Sequence, residues 1–385
     1  MNGAENEIET LSTLYPKIDP DGLLEYSVVF SDRSINHMSL AFQDTIRGLH
    51  EGLKSLYNAS SCVLIPGGGT FGMEAVARQF AKNQKVVVLR NGWFSFRWTQ
   101  IFDHGVTPAH VEVAKAQADS DRSDQQFSPA PLDEICASVR SSRPDIVVAP
   151  HVETSAGILL PDGYIKQLTD VAHEVGAIFV LDCVAAGAIW TDMGALGIDV
   201  LITAPQKGWS STPCAGVVML SDRALERMAI TESDSFALDL KKWHSVIGAY
   251  LSGGHTYHVT MPTDGLAKFH ETYKEMAELG FDFLKARQIE LGNETRSLID
   301  DYGFKSLAAE GFESPTVVVS HTDRADFKNG SAFADVGMQV APGVPLECGE
   351  SPNFQTFRIG LFGLDKLLNV DRTVSYLNEA LKKLV

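Results

Sequence analysis

Short, unbroken apolar runs separated by polar, glycine- and proline-containing breaks set the pattern of this chain. Such runs recur at Cys62 to Pro66, Lys85 to Leu89, Asp145 to Ala149, Ala177 to Asp182, Val200 to Thr203 and Ala215 to Leu220. Their length and their β-branched content are those of strands buried on both faces. Between them the period changes to that of a helix. Met73, Ala77, Phe80 and Ala81 share one face, and Gly163 to Glu174 crosses from one run to the next. Upstream, an extended segment from Glu25 breaks at Ser31 to Ser34, and a helix follows from about Ser39 with Leu49, Leu53 and Leu56 on its apolar face. Strands alternating with helices predict an α/β architecture with a mainly parallel sheet, whose ligands bind beyond the carboxyl ends of the strands.

Past Met228 the pattern is mainly helical up to a polar stretch, Ser252 to Pro262, that reads as a boundary. A long helix from about Leu266 to Leu298 then leads into a smaller α+β unit. That unit carries strands at Thr316 to Ser320 and Thr356 to Leu361, and a closing helix with Val374, Leu377, Leu381 and Leu384 on one side. The expected organisation is a polar arm over 1–22, a large domain over 23–262 and a small C-terminal domain over 263–385. Ala114 to Ser128 reads as an exposed polar loop, and no internal repeat is found.

Composition narrows the classes of partner. The 385 residues suffice for two domains, with 44% hydrophobic and 21% charged positions. A net charge of −17 argues against nucleic acid and anionic membrane surfaces, which call for basic patches. The amino terminus is acidic and lacks the apolar core of a signal peptide, and no apolar run reaches membrane-spanning length. The five cysteines, Cys62, Cys136, Cys183, Cys214 and Cys348, are odd in number and lack metal-ligand spacing. They are expected to be free thiols in a reducing cytosol, with no metal site.

Candidate chemistry gathers where the strands end. In VLITAPQKGWSSTPCAG, Val200 to Gly216, the chain leaves a strand at Pro205 and places Gln206 and Lys207 in a loop. A lysine there is either a solvated surface amine or a buried one, and burial favours the neutral amine that forms a Schiff base. Asp182 closes the IFVL run. It is either a structural ion-pair or cap residue, or a carboxylate held for a cationic ligand. Gly67-Gly68-Gly69-Thr70 precedes a helix, which makes either a tight turn or a cup for an anion. It lacks the Lys-Ser/Thr of a nucleotide-binding loop, so the phosphate of a smaller cofactor fits better. Trp93, Phe94, Phe96 and Trp98 follow a strand and either pack in the core or line a pocket for a flat ring.

Taken together these motifs resemble those of class V aminotransferases of the alanine–glyoxylate and serine–pyruvate branch. GGGTFGMEA, NGWFSFR, HVETSAG, LDCVAAGA, APQKGWSSTPCAG and FRIGLFG occur in the family's order, the last resembling R-I-G-x-[ML]-G. The resemblance runs from about Cys62 to the C-terminus. It implies a fold type I α/β transferase binding pyridoxal 5'-phosphate, with a seven-stranded, mainly parallel sheet and a smaller C-terminal α+β domain. By this resemblance Lys207 is the Schiff-base lysine and general base, and Asp182 holds the pyridine nitrogen protonated. Gly68, Gly69, Thr70 and Gln206 contact the phosphate, Phe94 stacks on the ring with Trp93 as its neighbour in register, Thr154 meets the ring hydroxyl, and Val184 packs the opposite face. Tyr257 and Thr260 would reach the phosphate of a neighbouring subunit, implying a homodimer. Arg358 would grip the substrate α-carboxylate.

The implied activity is transamination between a small α-amino acid and a 2-oxo acid such as glyoxylate or pyruvate. The alternatives are a lyase or cysteine-desulfurase-like enzyme, with Cys348 near Arg358 as its thiol, or a non-catalytic binder of this fold. The departures from the family pattern lie on the substrate side. Asn36-His37-Met38-Ser39-Leu40-Ala41-Phe42 loses an arginine and an acid, Glu25 to Arg33 replaces a proline-glycine-proline opening, and Glu347-Cys348-Gly349-Glu350 precedes Arg358. Arg33 is either a solvated turn residue or a receiver for a distal acidic group.

Overall fold

The computed structural model describes residues 23–122 and 124–385; the expected arm over 1–22 lies outside the described residues. The apolar runs become a seven-stranded sheet: β1 (Ser61–Pro66), β2 (Lys85–Arg90), β3 (His110–Lys115), β4 (Ile146–Pro150), β5 (Ile178–Asp182), β6 (Val200–Thr203) and β7 (Ala215–Leu220). Their order across the sheet is β1-β7-β6-β5-β4-β2-β3. Only β7 runs against its neighbours, while β6, β5, β4, β2 and β3 pair in parallel. Parallel strands are covered on both faces, which is why β5 and β6 are buried at every residue.

Helix α1 (Leu40–Tyr57) leads into β1, and α2 (Gly69–Phe80), α3 (Trp93–Asp103), α4 (Leu132–Ser142) and α5 (Asp162–Glu174) occupy the connections. The ends of α1 follow from its local chemistry. Ser39 accepts from the Phe42 N–H at the start, and Asn58 takes the left-handed conformation at the end. Between these caps Phe42, Ile46, Leu49, Leu53 and Tyr57 face the core.

Two expectations are corrected. The helix read from about Leu266 to Leu298 is two helices, Thr263–Leu279 and Phe281–Asp301. The break is Gly280, whose φ of 93° lies outside helical space and is open to glycine at little cost. The segment 114–128 is not a simple exposed loop. β3 continues to Lys115, and Gln117–Ala118 pairs with Phe127–Ser128, with Phe127 buried against Ala308 and Leu346. Ala116 and Phe127, both buried in one apolar cluster, dock an otherwise polar stretch.

The C-terminal elements include a three-stranded antiparallel sheet. It comprises β8 (Val317–His321), β9 (Ala341–Pro342) and β10 (Thr356–Gly360), with β10 in the centre. Arg358 of β10 lies opposite Val319 and Ala341. Gln288 ties this sheet to the first: it donates to Pro315 and Leu361 carbonyls and accepts from Ala188 N–H. The Ser210 hydroxyl, three residues past Lys207, accepts from Leu364 N–H at 3.0 Å.

Candidate active site

The carboxyl ends of β1, β2, β4, β5 and β6 surround a cavity of about 210 Å³ lined by residues that include Gly69, Thr70, Phe94, Thr154, Asp182, Val184, Gln206 and Lys207. The lining residues come from strand ends and from the loops or helices that follow them, so the sheet register decides what meets what. Asp182 ends β5, opposite Ile202 of the parallel strand β6, and Lys207 lies in the loop just past β6. That loop is anchored from behind. Trp209 is fully buried and packs 4.7 Å from the Trp190 ring, with Tyr57, Phe269 and Phe281 around it.

One wall is the amino end of α2. Gly68 is its N-cap, and its carbonyl accepts from Phe71 and Gly72 N–H, which leaves the Gly69 and Thr70 N–H groups at the open end of the first turn. Gly69 is required by close approach: a Cβ there would sit 2.5 Å from Val184 Cγ2. Gln206 lies beside this turn, its side-chain nitrogen toward Gly68 and its side-chain carbonyl buried without a partner among the described residues.

The charges are arranged with equal economy. Burial pushes the Asp182 carboxyl up to about 6, with nearby Glu153 adding to the effect, while the Val184 N–H donates to its Oδ1 at 3.0 Å. Burial also lowers the pKa of the Lys207 amine, and Arg358 lowers it further. The site thus holds a carboxylate short of a cation, an amine biased to neutrality and a helix terminus open to an anion. A protonated pyridine nitrogen, an aldehyde and a phosphate on one small molecule match those three needs. The residues present therefore fit pyridoxal 5'-phosphate.

Phe94 rather than Trp93 lines the cavity; Trp93 packs 5.7 Å from Phe96, and Trp98 is in the core. Arg358 is outside the lining but flanks it, with its guanidinium 5.6 Å from the centre of the Phe94 ring and its Nε donating to Pro342 O at 2.8 Å. Tyr257 and Thr260 do not join this group. Their hydroxyls lie 3.1 Å apart on the segment between the Leu240–Leu251 and Thr263–Leu279 helices, where Tyr257 is 52% exposed. Arg33 sits in an exposed turn, 4.0 Å from the Asp32 carboxylate, and is not part of the lining either.

Several residues at or behind the cavity escaped the sequence reading. Arg97 lines it, donates to Thr70 Oγ1 at 2.9 Å and lies 5.1 Å from the centre of the Phe94 ring, on which Arg358 also bears. Its signal was its place at the end of NGWFSFR. Met73, Val152 and Ala185 add apolar walls. Glu153 is buried behind the cavity, and Phe362 faces Lys207 from the C-terminal side.

The class-V aminotransferase family profile matches residues 23–329. The chain belongs to the class V aminotransferases. Its cofactor is accordingly pyridoxal 5'-phosphate, and its activity is that of an aminotransferase. A 2-aminoethylphosphonate–pyruvate transaminase of Pseudomonas aeruginosa is 28% identical over 84% of this chain and 83% of its own length. An L-aspartate–glyoxylate aminotransferase of Paracoccus denitrificans is 23% identical over 80% of this chain and 79% of its own. The solved alanine–glyoxylate aminotransferase of Nostoc sp. superposes with a TM-score of 0.75 at 20% identity, covering 90% of this chain and 89% of that one. That likeness bears on the fold, which is the fold type I architecture with its seven-stranded sheet.

Proposed function

We propose that this aminotransferase moves an amino group from a small amino acid to pyruvate or glyoxylate. The observation that carries the reading is Arg358, a buried guanidinium beside Phe94 whose charge bears on Lys207. Both acceptors are small 2-oxo acids with one carboxylate, and an arginine fork pairs with a carboxylate through two charge-assisted bonds. The names of the relatives, which pair their donors with pyruvate or glyoxylate, agree with it.

The bound cofactor supplies an aldehyde to take up amines and a ring to draw electrons from the substrate's Cα. The remaining work falls to the chain. Gly68, Gly69, Thr70 and Gln206 hold the phosphate, Phe94 and Val184 sandwich the ring, and Thr154 bonds its hydroxyl. Asp182 keeps a proton on the ring nitrogen. Lys207 Nζ would hold the cofactor through its aldehyde, and as a free amine it would serve as the base for the proton on the substrate's Cα. Its lowered proton affinity suits both tasks, because each needs the free electron pair of the neutral amine.

In this reading 23–262 and 263–385 are two lobes, and Tyr257 and Thr260 serve the phosphate of a second subunit in a homodimer. Their exposed position outside their own cavity supports this. A cytoplasmic location is in keeping with five unpaired thiols; among the described residues no helix is long and apolar enough to cross a membrane. The desulfurase alternative is disfavoured by Cys348. Burial pushes its thiol up to about 12, and its Sγ lies 3.3 Å from Arg90 O rather than in the cavity lining. The test is a panel of amino donors with pyruvate and with glyoxylate, scored by the 2-oxo acid and amino acid formed. Release of sulfide from cysteine without amino transfer would overturn the reading.

A further inference from the structure

Glu153 has no part in the roles above, yet it is fully buried, one residue before Thr154. Its carboxylate is saturated by donors. Phe94 N–H and Ser95 N–H donate at 3.1 and 2.9 Å, Ser95 Oγ at 2.7 Å, and Ser155 N–H and Oγ at 3.1 and 2.7 Å. These donors belong to two segments only. Phe94 and Ser95 open α3, whose first turn carries spare N–H groups and the positive end of the helix dipole. Ser155 belongs to the turn after β4 and also accepts from Trp93 N–H at 2.9 Å.

One carboxylate therefore fastens the start of α3 to the turn that carries Thr154. The two are pressed together: a Cβ on Gly92 would lie 2.1 Å from Ser155 Oγ and 2.8 Å from Glu153 Cγ. Both segments leave parallel neighbours, β2 and β4, at their carboxyl ends. Phe94 and Thr154 then face the same cavity.

We propose that Glu153 is a positioning residue for the cofactor ring, holding Phe94 over its face and Thr154 at its edge without touching the reacting atoms. The inference rests on the aminotransferase reading of the cavity. It has a chemical requirement, because donors converge on both oxygens and the group must be an acceptor at each. Glutamine has the same size but turns an NH2 toward N–H and O–H donors, so one side of the clamp opens while no cavity forms.

The experiment is Glu153→Gln in the cofactor-loaded enzyme, read by kcat and KM, by visible circular dichroism of the bound cofactor, and by melting temperature. The expected result is a fall in kcat on the order of tenfold to a hundredfold with KM little changed, the scale of a misplaced reacting group. The dichroic band should change with it, since its sign and size report how the protein holds the ring. Ser155→Ala, which leaves the charge but removes one hydroxyl donor to it and the acceptor of Trp93 N–H, should give the same change in smaller degree, and an unchanged band in it would overturn the proposal if Glu153→Gln does not fold. A normal band would overturn the proposal, whether kcat is normal or reduced, because it would leave Glu153 a purely structural or electrostatic part. If the wild-type protein binds pyridoxal phosphate and transfers amino groups, that failure belongs to the proposal alone; if it does neither, the reading of the cavity fails instead.

Discussion

The Lys207 amine lies 5.0 Å from the centre of the Phe362 ring, across the gap between the sheet's carboxyl edge and the segment that follows β10. Phe362 stands where R-I-G-x-[ML]-G has methionine or leucine, so this chain faces its lysine with an aromatic surface. An ammonium over such a face gains about 0.5–2 kcal/mol from the ring quadrupole. Burial and Arg358 act the other way and favour the neutral amine. Phe362→Leu keeps the apolar cover but removes the quadrupole. It should make Lys207 harder to protonate, so the pH dependence of its labelling by an amine-reactive probe in cofactor-free protein should move to lower pH. An unmoved profile would show that the ring does not stabilise the ammonium.

Lys207→Ala should abolish amino transfer and covalent capture of the cofactor. Lys207 lines the cavity, and among the described residues no other lysine does. Borohydride reduction followed by peptide mass mapping should find the cofactor on Lys207 in the wild type and on no lysine in the variant. Label on another residue with turnover retained would show the lysine misassigned.

Asp182 links function to stability. Its carboxyl is raised from 3.8 to about 6 by burial, so the folded, cofactor-free protein binds a proton there more tightly than the unfolded chain. Its contribution to stability should then fall as pH rises between about 4 and 6, reaching a penalty of roughly 3 kcal/mol by pH 7 at 1.36 kcal/mol per pKa unit. Asp182→Asn removes this penalty. It should melt higher than wild type at pH 7, with the difference shrinking toward pH 4, and it should lose most of its turnover for want of a counter-charge. A constant difference in melting temperature across that range would refute the titration.

Much of this was legible because parallel strands buried on both faces read as continuous apolar runs, and because the chemistry sits where each run ends. Asp182, Lys207 and the Gly68–Thr70 turn could be found in that way. Phe362 could not, since its contact with Lys207 joins segments distant in sequence. Glu153 was equally hidden: a glutamate in HVETSAG looks like any acidic residue until the fold sets two serines and a helix terminus around it. Gly280 shows the opposite failure, where helical spacing continues through a residue whose backbone does not.

Arg358→Lys should lower kcat/KM for small amino acids by about 1.5–3 kcal/mol, the worth of a hydrogen bond to a charged group. The guanidinium already spends Nε on Pro342 O, which fixes the plane of the fork; a lysine amine has no such fork. Cofactor affinity should stay within twofold, because the phosphate turn and Asp182 lie elsewhere. Loss of cofactor binding equal to the loss of kcat/KM would show that Arg358 serves the cofactor rather than the carboxylate.

Tyr257 and Thr260 test the subunit arrangement. Their hydroxyls are 3.1 Å apart and stand outside the cavity of their own chain, with Tyr257 half-exposed. If they complete a neighbour's phosphate site, cofactor affinity must follow the subunit equilibrium. Dilution that separates subunits should weaken cofactor binding in the wild type. Tyr257→Phe with Thr260→Val removes both hydroxyls while keeping their bulk. It should weaken binding by about 1–3 kcal/mol, two neutral or charge-assisted hydrogen bonds, without changing the sedimentation coefficient at high concentration. Because a ligand bound across an interface stabilises that interface by mass action, added pyridoxal phosphate should also shift the wild type toward the dimer and the double variant much less. Cofactor affinity that is independent of protein concentration, and equal in both proteins, would place the phosphate wholly within one chain.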